Sequence, residues 1–215
     1  MFVGHYSVSF LVKGTDKKIP LWVLFLAVQF VDIFWALFVL LGIEKVRIVP
    51  GITATNPLDL YYMPYTHSLV AALGWFGVAF FAYKFFAACT NRLAFLVGLA
   101  VLSHWPLDLV VHKPDLPLYD VQFKMGLGLW NSPVLAFLLE VLLLLGGIVL
   151  YFRSTQAKTP AGKYSMFLFG AAMFAVQALV FFGPPPPSPS VLALTGLTSY
   201  FLFAGIAFWL EKKRV

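Results

Sequence analysis

Residues 132–152 read SPVLAFLLEVLLLLGGIVLYF, a stretch of 21 residues in which Glu140 is the one charge. A helix rises about 1.5 Å per residue, so about 20 apolar residues cross the roughly 30 Å hydrocarbon core of a bilayer. The stretch therefore predicts a transmembrane helix. Five further apolar runs, bounded by charges or by Pro and Gly clusters, lie near 20–43, 66–88, 92–112, 164–183 and 190–210. The expected fold class is an all-α, polytopic integral membrane bundle. It has six full transmembrane helices and a short N-terminal half-helix in a single domain, 1–215.

Composition leaves no soluble alternative. Hydrophobic residues make up 61% of the chain and charged ones 11%, with a mean hydropathy of +0.88. Soluble domains are about 45–50% apolar and about 25% charged. The net charge of +6 does not point to nucleic acid, because the basic residues sit at segment ends rather than in one patch. The single cysteine, Cys89, excludes an internal disulfide framework and a thiolate-rich zinc site. Residues 1–12 lack the basic start and small-residue cleavage site of a signal peptide, so no cleavable leader is expected.

Lys and Arg in short loops orient membrane helices. With a cytoplasmic C-terminus, the inner side carries Lys13, Lys17, Lys18, Lys84, Arg92, Arg153, Lys158, Lys163, Lys212, Lys213 and Arg214, which is eleven of the 15. The outer side carries Lys45, Arg47, Lys113 and Lys124, the remaining four. The segment before Lys13 is too short to cross, since twelve helical residues rise only about 18 Å. It reads as a half-helix whose charged end is cytosolic and whose start lies within the bundle. A helix lying on the inner surface is the alternative, and it would remove His5 from the cluster described next.

The chain has four histidines, His5, His67, His104 and His112, and its apolar runs also contain Asp32, Asp108 and Glu140. An ionisable side chain at bilayer depth costs at least about 2.5–3.5 kcal/mol on insertion scales, so such groups face the interior and are paired or functional. The orientation above places all seven in the outer half. Asp32 is past the midplane, His67 is in the first turn of its span, and Glu140 is about two turns in. His104, Asp108 and His112 recur every four residues and share one helix face. On a straight axis His104 and His112 stand about 12 Å apart, so His104 and Asp108 suit one ion and His112 a second ion or an outer position. Pro106 interrupts the helix ladder between them and predicts a kink.

A lone membrane histidine is commonly a helix–helix hydrogen bonder, but the spacing of His104, Asp108 and His112 points to a polar site. Glu140 fits equally a ligand or base and a protonated acid within a hydrogen bond. Residues 56–59 and 131–133 read as turns and helix caps, and Trp22, Trp75, Trp130 and Trp209 as mostly lipid-facing or interfacial.

Several stretches resemble those of the bacterial inner-membrane metal-dependent hydrolases. They are Gly4-His5, Asp32, Tyr65-Thr66-His67-Ser68, Ser103-His104-Trp105-Pro106-Leu107-Asp108, His112-Lys113-Pro114-Asp115 and the glycine-rich run Gly126 to Ser132. The resemblance covers residues 1 to about 140. The His-x3-Asp spacing is also similar to that of secreted zinc-dependent phospholipases C and related nucleases, which have more histidines. It implies a hydrolase using one or two Zn²⁺ ions, or Mn²⁺ or Fe²⁺, held by His5, Asp32, His67, His104, Asp108 and His112. Asp108, Glu140 or His112 would handle protons. A site in the outer leaflet of the bacterial inner membrane suggests a lipid or lipid-linked ester or phosphoester, covered by the 113–131 loop. A proton or metal-ion transporter using the same cluster is the second class, and a bundle stapled by a structural metal is the third.

Overall fold

The computed structural model describes residues 1–214, and these form the expected helical bundle. A 3-10 turn at Val3–His5 leads into α1 (Tyr6–Thr15), and α2 (Leu21–Val28) and α3 (Phe30–Leu40) follow. A hairpin of β1 (Lys45–Ile48) and β2 (Leu58–Tyr62) precedes α4 (Leu69–Phe86), α5 (Asn91–Leu102) and α6 (His104–Val111). The chain then runs through α7 (Pro133–Ser154), α8 (Pro160–Phe182) and α9 (Pro189–Glu211). Five helices are long and apolar enough to cross a membrane, α5 and α6 together forming one of them, and α2 with α3 makes a sixth if the bent pair is one span.

The first span differs from the expected straight run over 20–43. It bends by 53° at Gln29, whose own backbone (φ −103°, ψ 6°) leaves the helical region. The 44–65 connection also differs, because it pairs as an antiparallel hairpin with Lys45 opposite Tyr62 and Ile48 opposite Leu58. Leu58 and Asp59, expected in a turn, are strand residues. Val46 and Leu60 turn inward from the hairpin and are buried, the alternation that one covered face imposes. The interruption expected near Pro106 falls at Ser103, where α5 gives way to α6.

The half-helix is part of the core. Tyr6 and Phe10 are fully buried, and α1 packs closely on α7 and α2. Gly147 of α7 makes that approach feasible, since a Cβ there would lie 2.8 Å from Ser7 Cα. At the opposite end Lys13 is also buried. Its ammonium pairs with Glu211 of α9 and donates to the carbonyls of Lys17 at 2.6 Å and Ile19 at 2.8 Å. Elsewhere α2 and α3 pack on α9, and α4 on α5. Outward-facing Phe81, Phe85 and Phe86 of α4 present the apolar surface expected against acyl chains.

Candidate metal centre

Asp108 lies within α6 and Glu140 within α7, but the other ligand-type side chains sit at irregularities of the helices. His5 ends the 3-10 turn, Asp32 lies in the first turn after the Gln29 bend, and His104 opens α6 just after the Ser103 break. His67 precedes α4 rather than lying in its first turn. Ser68 is the N-cap there, accepting from the Ala71 amide at 3.1 Å. His112 leaves the end of α6 in an extended conformation (φ −63°, ψ 143°). Such breaks let side chains from separate segments turn toward one point, which uninterrupted parallel helices do not allow.

Asp108 is the centre of that point. Its Oδ1 lies 2.6 Å from the Met1 amine and 3.2 Å from His5 Nε2. Its Oδ2 lies 3.2 Å from His104 Nε2, 3.5 Å from His112 Nε2 and 3.8 Å from His67 Nε2. Asp32 closes the other side, with Oδ1 3.3 Å from His67 Nε2 and 3.5 Å from His104 Nε2. Its Oδ2 accepts from the Tyr200 hydroxyl at 3.2 Å. Two overlapping sets result, His5–His104–Asp108 and Asp32–His67–His104, each with its three ligand atoms within 4.8 Å of one another. His112 and Glu140 belong to neither. His104 and His112 nonetheless reach the same Asp108 oxygen, because the separation expected along a straight axis is bridged by their side chains and by the extended turn at His112.

Hydrogen bonds on the far sides of the rings decide what these nitrogens offer. His104 Nδ1 lies 2.9 Å from the Val28 carbonyl, at the bend between α2 and α3, and His112 Nδ1 lies 2.8 Å from Asp115 Oδ1. A carbonyl or an ionised carboxylate only accepts, so both Nδ1 atoms carry the hydrogen. In a neutral imidazole Nε2 then presents a lone pair, the arrangement by which an outer acceptor orients a metal-binding histidine. His104 Nε2 is buried and makes no hydrogen bond, although two carboxylate oxygens stand 3.2 and 3.5 Å away. His5 and His104 stack in parallel at 3.9 Å between centroids, a geometry that disfavours a positive charge on both.

A neutral ring that turns its lone pair toward carboxylate oxygens leaves a place that a cation could fill. Four ligands at about 2.0–2.1 Å around a tetrahedral ion stand about 3.3–3.4 Å from one another, and the separations across this site, 3.2 to 3.8 Å, bracket that value. The described residues fit a metal ion, and this buried His/Asp group could hold one.

Glu140 is buried eight residues into α7, beside the cluster. Its Oε2 accepts from the amides of Phe2 at 2.8 Å and Gly4 at 3.2 Å, which fixes the turn that carries His5. Trp130 is not at a lipid interface but buried, with its ring 4.2 Å from that of His112. The 113–131 connection holds it there. Gly128 (φ +73°) donates to the His112 carbonyl at 2.7 Å, and any Cβ at Gly126 would overlap the Lys113 carbonyl. Thr55, at the hairpin tip, donates to the Trp130 carbonyl through its amide and its hydroxyl. A cavity of about 280 Å³ is lined by Trp130 together with Asp32, His67, Asp108 and His112, and by Val176 and Val180 of α8.

Glu44 and Tyr200 are polar partners of the site that the sequence did not single out, while Thr66 and Asp115, quoted within the resembling stretches, had no role assigned there. Asp115 stands three residues after His112, a spacing that could have drawn attention to it. Tyr200, a polar tip within an apolar helix, offered a weaker signal. No family model matches the chain, and neither a curated protein nor a solved structure matches it.

Proposed function

We propose that the chain is a membrane-embedded, metal-dependent hydrolase acting on a lipid or lipid-linked ester or phosphoester. The observation that carries this reading is the buried, unpartnered Nε2 of His104 aimed between Asp32 and Asp108. Mixed imidazole and carboxylate donors suit Zn²⁺ best, and Mn²⁺ or Fe²⁺ share the preference in part. When bound, such an ion supplies a Lewis acid that polarises the scissile group and acidifies a water to a pKa near about 7. The residues that would hold it are His5, Asp32, His67, His104 and Asp108, with His112 at the edge.

The protein's own groups divide the remaining work. Tyr200 holds Asp32 in place through its hydroxyl. Glu140 and His112 both border the cavity, where either can accept a proton from water or return it to a leaving group. Trp130 covers His112 and limits solvent access. The cavity's lining, which includes Asp32, Asp108 and His112 as well as Val176, Val180 and Leu192, suits an amphipathic substrate. The Lys/Arg distribution supports a cytoplasmic C-terminus in a bacterial inner membrane, with the site toward the outer face.

Metal analysis of purified wild type against His104→Ala and Asp108→Ala tests the site, and phospholipid hydrolysis by the metal-loaded protein tests the activity. Bound metal in wild type and loss of it in both variants is the expected result. Unchanged metal content in both would end the site as drawn, and metal without hydrolysis would favour a structural staple.

A further inference from the structure

His67 is the one ring of the Asp32–Asp108 pair whose far side meets a hydroxyl rather than a carbonyl or carboxylate. Its Nδ1 lies 2.8 Å from Thr66 Oγ1. A threonine hydroxyl can donate or accept, so the contact alone does not fix which ring nitrogen holds the hydrogen.

Glu44 removes the ambiguity. Its Oε1 accepts from the amides of Tyr65 at 2.8 Å and Thr66 at 3.0 Å, and its Oε2 accepts from Thr66 Oγ1 at 2.6 Å. Burial pushes this carboxyl above its ordinary value, while the hydrogen bonds from Thr66 and Tyr65 work in the opposite direction. Three donors converging on the two oxygens are the environment of an ionised, acceptor-only group. The hydroxyl's single hydrogen is therefore spent on Glu44. Toward His67 the same oxygen can only accept, so Nδ1 carries the ring hydrogen and Nε2 presents its lone pair to Asp32.

The hairpin supplies the geometry. Glu44 ends the connection from α3 and immediately precedes β1, and β2 returns the chain to Met63 just before the Pro64–Thr66 turn. The pairing of Lys45 with Tyr62 brings Glu44 next to Thr66 across twenty-two residues of sequence. Both residues are buried, Glu44 at 1% and Thr66 at 0% exposure, so water does not compete for the relay.

We infer that Glu44 is a positioning residue, acting through Thr66 to hold His67 as an Nε2 metal ligand, with the β1–β2 hairpin as the device that closes this relay. The inference rests on the metal-centre reading above. Removing an outer partner of this kind weakens metal binding about 10–100-fold.

The test uses full-length wild type, Glu44→Gln, Thr66→Val and Thr66→Ser. Nitrogen NMR of ¹⁵N-histidine-labelled protein before metal addition reads the His67 tautomer, and competition with a chelator reads Zn²⁺ affinity. The expected result is an Nδ1-protonated His67 in wild type and Thr66→Ser, lost in Thr66→Val and Glu44→Gln. Zn²⁺ binding falls about 10–100-fold in those last two variants and returns in Thr66→Ser. An Nε2-protonated His67 in wild type overturns the relay, as does unchanged metal affinity in both Glu44→Gln and Thr66→Val. A wild type that binds no Zn²⁺ but shows the tautomer lock, lost in Thr66→Val, sinks the metal reading and leaves the relay standing.

Discussion

The Nε2 of His104 stands 3.2 Å from Oδ2 of Asp108, one turn further along α6, yet no hydrogen bond joins them. Two groups four residues apart on a helix face each other by default, and a buried polar pair ordinarily takes up a bond within its reach. A pair held at the edge length of a metal tetrahedron could instead take a cation between its members.

Asp108→Asn keeps the shape of the side chain and removes its charge. Because Asp108 faces His5, His67, His104 and His112 at once, the substitution is expected to abolish stoichiometric metal binding. Atomic emission of purified protein at matched yield checks it, and a wild-type metal-to-protein ratio in the variant refutes it.

Metal removal has a stability signature. A ligand at about 100 times its dissociation constant stabilises the folded state by about 2.7 kcal/mol. Chelation should lower the unfolding temperature of wild type in detergent and leave that of His104→Ala unchanged. An equal response from the two proteins would show that the chelator acts elsewhere.

Gly147→Val tests whether the seat of α1 governs His5. The added Cβ would lie 2.8 Å from Ser7 Cα, and overpacking of this kind costs about 1–3 kcal/mol. The expected outcome is a lower unfolding temperature with weaker metal binding. Gly146→Ala, where nothing lies within 4 Å of the new Cβ, serves as the neutral comparison.

Lys13→Met probes the other end of the bundle. Lys13 is buried and joins α1 to Glu211, which also accepts from the Leu21 amide at 2.8 Å. Breaking one side of a buried pair costs about 3–5 kcal/mol, whereas replacing both partners by apolar residues is often neutral. Thermal unfolding should show a large loss for Lys13→Met and recovery in Lys13→Met with Glu211→Leu. Metal content should not change in either.

The sequence revealed those parts of the centre that depend on local periodicity or on depth. His104 and Asp108 were legible because four residues make about one helical turn. Asp32 stood out as a carboxylate in an apolar run, and His5 followed from the charged end of a helix too short to cross. The bend at Gln29 carries no proline or glycine to announce it, and it becomes visible only when Val28 is seen bonding His104. Glu44 and Thr66 are ordinary loop residues until the hairpin pairs, since register depends on the partner strand. Trp130 misled because an aromatic ring is amphipathic in either setting, and only packing against His112 tells which one applies.

Glu140 and Tyr200 lie late in the polypeptide, yet they hold residues from its beginning: the amides of Phe2 and Gly4 on one, Asp32 on the other. During biosynthesis these contacts can form only once α7 and then α9 have been made, although Asp108, which faces Met1 and His5, precedes both helices. The hydrogen bonds that brace the cluster are accordingly completed late in assembly, after the histidines and aspartates themselves are in place.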